Sequence, residues 1–461
     1  MRSNYEHDRL DDTTHDGPTD GRQPTEKSSR GDTTMTVTES RLRERLRDVE
    51  DPALGIDIVS LGLVTDLRID DGVAEITLAF NAPYATDEME MGDRIREVAA
   101  DLGLETRLSV TVPQRDSANP LPGVRNVIAV SSGKGGVGKT TVATNLAAGL
   151  ADEGARVGLL DGDIYGPNVP KMIGIDGEPG MTDDGSLVPP EAYGVKVISM
   201  AFLTRDGDDP AVLRGPMVDK ILIRLIEDVE WGRLDYLVVD LPPGTGDAQL
   251  TLVQTLPVAG SVVVTTPEDV ALDDVRKGIE MFRNHDTPVL GIAENMSAYH
   301  CPDCGGEHAL FGSGGGREVA ETYGVPLLEE IPMNPEIRTR SDDGAPVVCW
   351  DTDASEPFEA LVESVANRVG AVNRAAVAGI DPDDPDPDDL STPASYGGLE
   401  NEAGTDSTTD PDGTSAEADP DISVDGDASS AETTNADERD TEDDSDGAEP
   451  SLGGLDVSDR G

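Results

Sequence analysis

Aromatic residues make up only 3% of this 461-residue chain, with five phenylalanines and two tryptophans. A core here has to be built from Val, Ile and Leu, which are dense between residues 125 and 375. Cysteine is scarcer still: three in the whole chain. That excludes a disulfide framework and fits a reducing compartment. Basic residues are few, 35 Lys+Arg against 93 Asp+Glu, for a net charge of −58. Such a balance argues against nucleic acid as a partner. No apolar run approaches the ~20 residues of a membrane-spanning helix, so no membrane partner is expected. The N-terminus is charged and polar, without the apolar segment of a secretory signal, and the expected location is cytoplasmic. What is abundant is acid. Acidic residues run from Asp8 to Asp459, over loops and helix faces as well as tails. This is the surface expected of a protein kept soluble at high salt.

The composition divides the chain. Residues 1–36 are polar and read as a disordered leader. Residues 37–115 read as a small α+β domain. TESRLRERLRDV is its first helix, with Thr38 or Ser40 as cap. LVTDLRID and VAEITLAF form a hairpin around Asp71-Gly72. A second helix, DEMEMGDRIREVAADLG, and a third strand, TRLSVTV, complete it. Residues 116–124 form a polar, proline-containing linker. From 125 to 375 apolar strands alternate with helices, which predicts a mostly parallel sheet with helices on both faces: an α/β fold. Residues 376–461 are Asp, Glu, Ser, Thr, Gly and Pro, too poor in apolar side chains to offset the entropy of ordering, and read as a disordered acidic tail.

The strongest motif is GKGGVGKTT, Gly133–Thr141. It fits the phosphate-loop pattern GxxxxGK followed by Ser or Thr. Its flanks are the required strand, RNVIAVSS, and helix, TVATNLAAGLADEG. Backbone N–H groups of such a turn converge on an anion at a helix N-terminus. Gly133, Lys134, Gly135, Gly136, Val137, Gly138, Lys139, Thr140 and Thr141 are therefore the candidate nucleotide contacts. Lys139 would meet the β- and γ-phosphates of ATP, and the Thr140 hydroxyl would ligate Mg²⁺. The strand LDYLVVD ends at Asp240, the pattern of the acid that holds Mg²⁺. Gly244–Asp247 follow as a switch turn. RVGLLDGD places Asp161 and Asp163 at another strand end. Asp161 is a candidate behind Mg²⁺, and Asp163 a candidate for orienting the attacking water. A solvated acidic turn is the plain alternative for that pair. Asp269 or Thr266 is expected to cap the helix after SVVVTT. Asn295, in a strand-end turn, sits where an amide would read adenine's edge, or would act as a structural cap.

Cys301 and Cys304 form CxxC on a proline-containing turn, so both thiols can face one metal. Two thiolates cannot complete a tetrahedral zinc site or a cluster needing four. His300 and His308 would complete zinc within one chain. A second copy across a twofold axis would supply four thiolates for a 4Fe–4S cluster. Cys349, in VVCW, reads as core.

These residues carry a resemblance. With Lys134 as an extra lysine inside the loop, KGGVGKT resembles the subclass of phosphate-loop ATPases that includes partition, septum-site and nitrogenase-iron-protein-like enzymes. That resemblance implies that Lys134 reaches across a dimer to the partner's nucleotide, and it favours the catalytic reading of Asp161 and Asp163. GDIYGPNVP, LRGPMVDK, WGRLDYLVVDLPPGTGD, TTPEDVALDDVRKG, ENMS and CPDCG then follow in order. Together they resemble the Mrp/ApbC family of ATP-dependent iron–sulfur cluster carriers. The resemblance implies a homodimer that holds a 4Fe–4S cluster at Cys301 and Cys304, hydrolyses ATP and passes the cluster to apoproteins. It also carries over Asn295 as a base contact. DPALGIDIVSLGLV resembles the opening of the small iron–sulfur-assembly domain often fused ahead of such ATPases. That domain often bears a cysteine where this chain has NAPYATDEM, so docking or regulation is expected of it rather than thiolate chemistry. The rivals are a partition or septum-site ATPase switch, and a phosphate-loop ATPase with structural zinc at CxxC.

Overall fold

The computed structural model describes residues 37–111, 119–164, 166–203, 215–301, 304–387 and 390. The leader at 1–36, the first three residues of the linker (116–118) and nearly all of the acidic tail lie outside the described residues.

The first elements are α1 (Glu39–Arg45), β1 (Val64–Asp70), β2 (Val73–Leu78), α2 (Thr86–Asp101) and β3 (Glu105–Val110). Thr38 caps α1 by accepting from the Arg41 N–H. β1 and β2 pair antiparallel through Asp71 and Gly72, both at positive φ (43° and 83°). The mirror-image turns match the strand twist in a two-residue hairpin, and the form with both central residues left-handed favours Asp-Gly, which stands here. β3 returns parallel to β2 after α2.

The larger sheet begins with β4 (Val124–Ser132), followed by α3 (Lys139–Asp152), β5 (Val157–Asp161) and the short α4 (Val169–Met172). Three two-residue strands follow: β6 (Gly180–Met181), β7 (Leu187–Val188) and β8 (Glu191–Ala192). Then come β9 (Val195–Ser199), α5 (Gly215–Glu227), β10 (Leu234–Asp240), α6 (Asp247–Thr255), β11 (Val258–Thr265) and α7 (Asp269–Asn284). The chain continues with β12 (Val289–His300), β13 (Glu307–His308), α8 (Gly315–Tyr323), β14 (Leu327–Met333), α9 (Pro335–Asp342) and α10 (Glu356–Ala378). The strands order as β12-β11-β4-β10-β5-β9, all parallel, with β14 parallel to β12 and β8 antiparallel at the far end.

Side chains of β4 alternate between two cores. Ile128 and Val130 join α3 and α10 on one face, while Val127 and Ala129 join α5, α6, α7 and α8 on the other. A strand buried on both faces reads as continuous apolar sequence, as RNVIAVSS does. The α/β reading with helices on both faces therefore holds. Among the described residues no helix is long and apolar enough to cross a membrane.

The small domain is not a bead on a linker. Asp51 and Arg374 are fully buried together, with Arg374 Nε 2.5 Å from one Asp51 oxygen and Nη2 3.2 Å from the other. Arg374 also donates to Glu88 at 3.2 Å. The loop Asn81–Ala85, where the sequence lacks the cysteine, packs into the base of the large sheet. Asn126 of β4 donates to the Asn81 carbonyl at 2.7 Å, and the Tyr236 hydroxyl of β10 to the Pro83 carbonyl at 2.7 Å. The ordered chain also continues beyond 375, the boundary expected for the tail. α10 runs to Ala378, and Ala375, Ala378 and Ile380 are buried in the small domain's own core. Composition alone placed the break too early because these few apolar residues stand just before a long acidic stretch.

Candidate functional site

The phosphate loop joins β4 to α3. Gly136 and Gly138 have φ of 86° and 85°, a region open to glycine. Gly138 is also forced by space. A Cβ there would lie 2.1 Å from the Asn295 Nδ2. A Cβ on Gly133 would lie 2.3 Å from Asp274 on α7, so the loop is pressed between two elements. α3 starts at Lys139, so the N–H groups of its first turn open toward the loop.

Three of the expected groups converge. The Lys139 ammonium, buried, bonds one oxygen of Asp240, and the Thr140 hydroxyl donates to the other at 2.7 Å. Burial raises the Asp240 carboxyl, and Lys139 opposes that rise. Thr140 and Asp240 are hard oxygen donors side by side, a set that fits Mg²⁺. Asp161 stands on the neighbouring strand, paired in register with Asp240. It is fully buried and accepts from Ser199 Oγ at 2.8 Å and from the N–H groups of Asp163 and Val169, both at 3.2 Å. Burial, then the charge of Asp240, pushes its carboxyl up to about 7. Asp161 thus anchors the turn that carries Asp163. Asp163 itself is half-buried and accepts from the Gly166 N–H at 3.3 Å. On the other side, the Gly244 N–H donates to the Ser132 carbonyl at 2.8 Å, tying the switch turn to the end of β4.

Lys134 is held within its own chain, 2.7 Å from a Glu268 oxygen. Glu268 occupies the N-cap position of α7 and makes no cap bond. Of the two expected caps, Thr266 does not act as one, its hydroxyl being buried without a partner, and the Asp269 side chain lies outside the described residues. Nothing local in the chain marks Glu268 as the partner of Lys134, because 134 residues separate them.

Asn295 lies inside β12 rather than in a turn after it. Its Nδ2 donates to the Val137 carbonyl at 2.8 Å, and its Oδ1 accepts from the Met296 N–H at 2.9 Å. It therefore fastens the phosphate loop. It also lines a cavity of about 620 Å³ with Thr140, Met296, Tyr299 and Met333. Met296 has φ of 60°, a strained value for an unbranched side chain. On the opposite face of β12, the adjacent Glu294 accepts from the Gly316 N–H at 2.5 Å, at the start of α8. Neither sequence spacing nor composition pointed to Glu294.

β12 then leads into the CxxC turn. The Cys301 N–H donates to the Gly306 carbonyl at 3.0 Å, and the Gly305 N–H to the Cys301 carbonyl at 2.8 Å. Gly305 has φ of 68°. Cys301 is half-buried and Cys304 exposed. His300 is drawn across the hairpin to Glu307 at 2.7 Å. Among the described residues, no group of three His, Cys, Asp or Glu comes together to hold a metal. Cys349 is half-buried against the α3–α10 core, and burial pushes its thiol up to about 11.

The family described as NUBPL iron-transfer P-loop NTPase matches residues 123–369, and that described as iron-sulfur cluster assembly protein matches residues 39–112. An iron-sulfur cluster carrier protein of Pseudomonas fragi is 52% identical over 266 residues, 57% of this chain and 91% of its own. One from Deinococcus radiodurans is 43% identical over 342 residues, 71% of this chain and 95% of its own. A nucleotide-binding protein of Archaeoglobus fulgidus, solved with ADP, is 38% identical over 54% of this chain and 98% of its own, with a TM-score of 0.47. The chain belongs to the NUBPL iron-transfer P-loop NTPase family and carries an iron–sulfur cluster assembly domain ahead of its NTPase domain.

Proposed function

We propose that the protein is an ATP-dependent iron–sulfur cluster carrier. It holds a 4Fe–4S cluster between two protomers and hands it to apoproteins, with ATP hydrolysis coupled to loading or transfer. The observation that carries this reading is the CxxC turn. It offers two thiols at the end of the same strand whose Asn295 fastens the phosphate loop. Two thiolates per chain are half of what a cluster needs, and a twofold partner supplies the other half.

The nucleotide chemistry follows from the loop. Lys139 turns from Asp240 to the β- and γ-phosphates. Thr140 and Asp240 hold Mg²⁺, which when bound neutralises charge on the phosphate oxygens. Asp161 keeps the Asp163 turn in place. Asp163 orients a water in line with the γ-phosphorus; the new P–O bond forms as the bond to the bridging oxygen breaks and ADP leaves. Lys134 leaves Glu268 to reach the partner's nucleotide. Loop N–H groups from Gly133 to Thr141 bind the phosphates, and Asn295 acts by holding that loop as well as by bordering the base cavity.

Anaerobic purification followed by iron, acid-labile sulfide and zinc analysis, with and without ATP, tests the reading. About four irons and four sulfides per two chains, with absorbance near roughly 400 nm, is the expected result. About one zinc per chain, lost on replacing His300 or His308, would put the structural-zinc reading in its place. That reading has one contact in its favour. The space next to Gly306 is bordered by Cys304 Sγ and His308 Nε2.

A further inference from the structure

The segment after the CxxC turn, Ala309–Gly316, reads ALFGSGGG, eight residues without a charge in a chain that is 28% charged. Leu310 is 59% exposed and Phe311 36%. Phenylalanine is rare here, and the other four behave differently. Phe80, Phe282 and Phe358 are buried, and Phe202 packs on a core. Phe311 is thus an aromatic left at the surface of a strongly acidic protein. An apolar patch in such surroundings marks an interaction site.

Its position says what it meets. β13 runs back antiparallel along Tyr299 and His300, so Leu310 follows directly on the hairpin that carries the two cysteines. Gly312 and Gly315 lie against the Pro267 carbonyl, and the next residue, Glu268, holds Lys134. The patch therefore stands between the CxxC turn and Lys134, the two groups that act across a dimer. We propose that Leu310 and Phe311 form the apolar seal of a twofold contact with a second copy of this chain, closed over the shared cluster. The inference rests on the carrier reading above and names the surface that makes it work.

Two physical arguments select a second copy over other occupants. A twofold contact sets a patch against itself, so the patch must be self-complementary. Acidic surface is not, since two chains of net charge −58 repel. Uncharged apolar surface is. The second argument is the cargo. A cluster held by four exposed thiolates loses iron to water and chelators, and an apolar cover controls solvent access to it. Only the other protomer is present whenever both thiolate pairs are engaged.

The test uses the full chain, reconstituted anaerobically with iron and sulfide. Wild type is compared with a Leu310→Asp, Phe311→Asp double variant and with a milder Leu310→Ser, Phe311→Ser variant. Light scattering gives the mass, and iron release to a ferrous chelator gives cluster exposure. Circular dichroism melting serves as the folding control, since both side chains are exposed. The expected result is an unchanged melt with a dimer about tenfold weaker, and iron lost about tenfold faster, in the Asp variant, the Ser variant lying between. Wild-type mass and iron retention in the Asp variant overturns the proposal. If transfer to a small apo-ferredoxin slows while dimer and retention stay intact, the patch belongs to the acceptor and the proposal is likewise overturned. A wild-type protein that takes up no cluster sinks the carrier reading itself, a failure seen before any variant is made.

Discussion

Asp240 is fully buried and holds a lysine and a threonine; in the proposed mechanism it holds a metal ion as well. Its carboxylate is tolerable there only because Lys139 compensates it. Lys139→Ala removes that compensation and the phosphate contact together. ATP binding, measured by calorimetry, should fall by about 100-fold or more, with hydrolysis lost. Asp163→Ala should keep ATP binding and slow hydrolysis by about 100-fold, because it touches the water and not the phosphates. Hydrolysis at the wild-type rate in both variants would remove the site assignment. The cysteines divide in the same way. Cys301→Ala or Cys304→Ala should each empty the cluster completely, since one loss per chain leaves two ligands of four. Cys349→Ala should leave iron and sulfide content unchanged, because its thiol is packed on the α3–α10 core. At this scale the sequence was legible wherever the chemistry is local. Gly133–Thr141, Asp240 and CxxC each declare themselves within a few residues of chain. Glu268 and Glu294 do not. One pairs with Lys134, 134 residues away, and the other with Gly316 through the start of a helix. Contacts of that kind leave no periodicity to read.

Strand β12 is the element on which the two proposed chemistries meet. Asn295 faces the phosphate loop, Glu294 faces α8, and six residues beyond Asn295 the strand delivers Cys301. The apolar run PVLGIAENM announces the strand as far as Asn295. Its continuation through Ser297 and Ala298 to His300 has no such pattern, and the kink at Met296, with φ of 60°, breaks register with β14. That is why Asn295 reads as a turn residue in sequence and stands within a strand in the fold. Asn295→Ala leaves the Val137 carbonyl without its partner and opens space behind Gly138. Loss of a buried hydrogen bond of this kind costs about 1–3 kcal/mol. Because the loop is what loosens, the loss should appear as ADP affinity weakened by roughly tenfold in calorimetry, with the CxxC turn still able to take iron. If ADP affinity is unchanged, Asn295 does not fasten the loop in solution.

The joint between the small domain and the NTPase domain escapes any reading of the sequence. Arg374 and Asp51 are 323 positions apart, and each looks like one more surface charge in a very acidic chain. Folded, they form a buried cluster with Glu88. Loop Asn81–Ala85 is fixed to β4 and β10, the strands that end at the phosphate loop and at Asp240. The fold class and the two domains were legible because helix and strand periodicities are local; their docking was not. Arg374→Met should cost about 3–5 kcal/mol in urea unfolding, since it strands two buried carboxyl groups. Glu88 gives the joint a pH dependence of predictable sign. Burial raises its carboxyl from 4.5 to about 7, against the opposing pull of Arg374. The folded protein then holds a proton on Glu88 that the unfolded chain has already released between pH 4.5 and 7. Stability from this group is therefore full below about pH 4.5 and falls as pH rises toward 7, after which it is level. The size is about 3 kcal/mol over that window. Asp161, also raised to about 7, contributes a fall in the same window. The comparison that isolates Glu88 is accordingly with Glu88→Gln, which keeps Asp161 and fixes the joint in its uncharged form. Urea unfolding at pH 5 and pH 8, which span most of that window, should show a decline about 2.5 kcal/mol smaller in the Gln variant than in wild type. Equal declines would mean that Glu88 is ionised in the folded protein throughout, paired with Arg374 as an ordinary salt bridge.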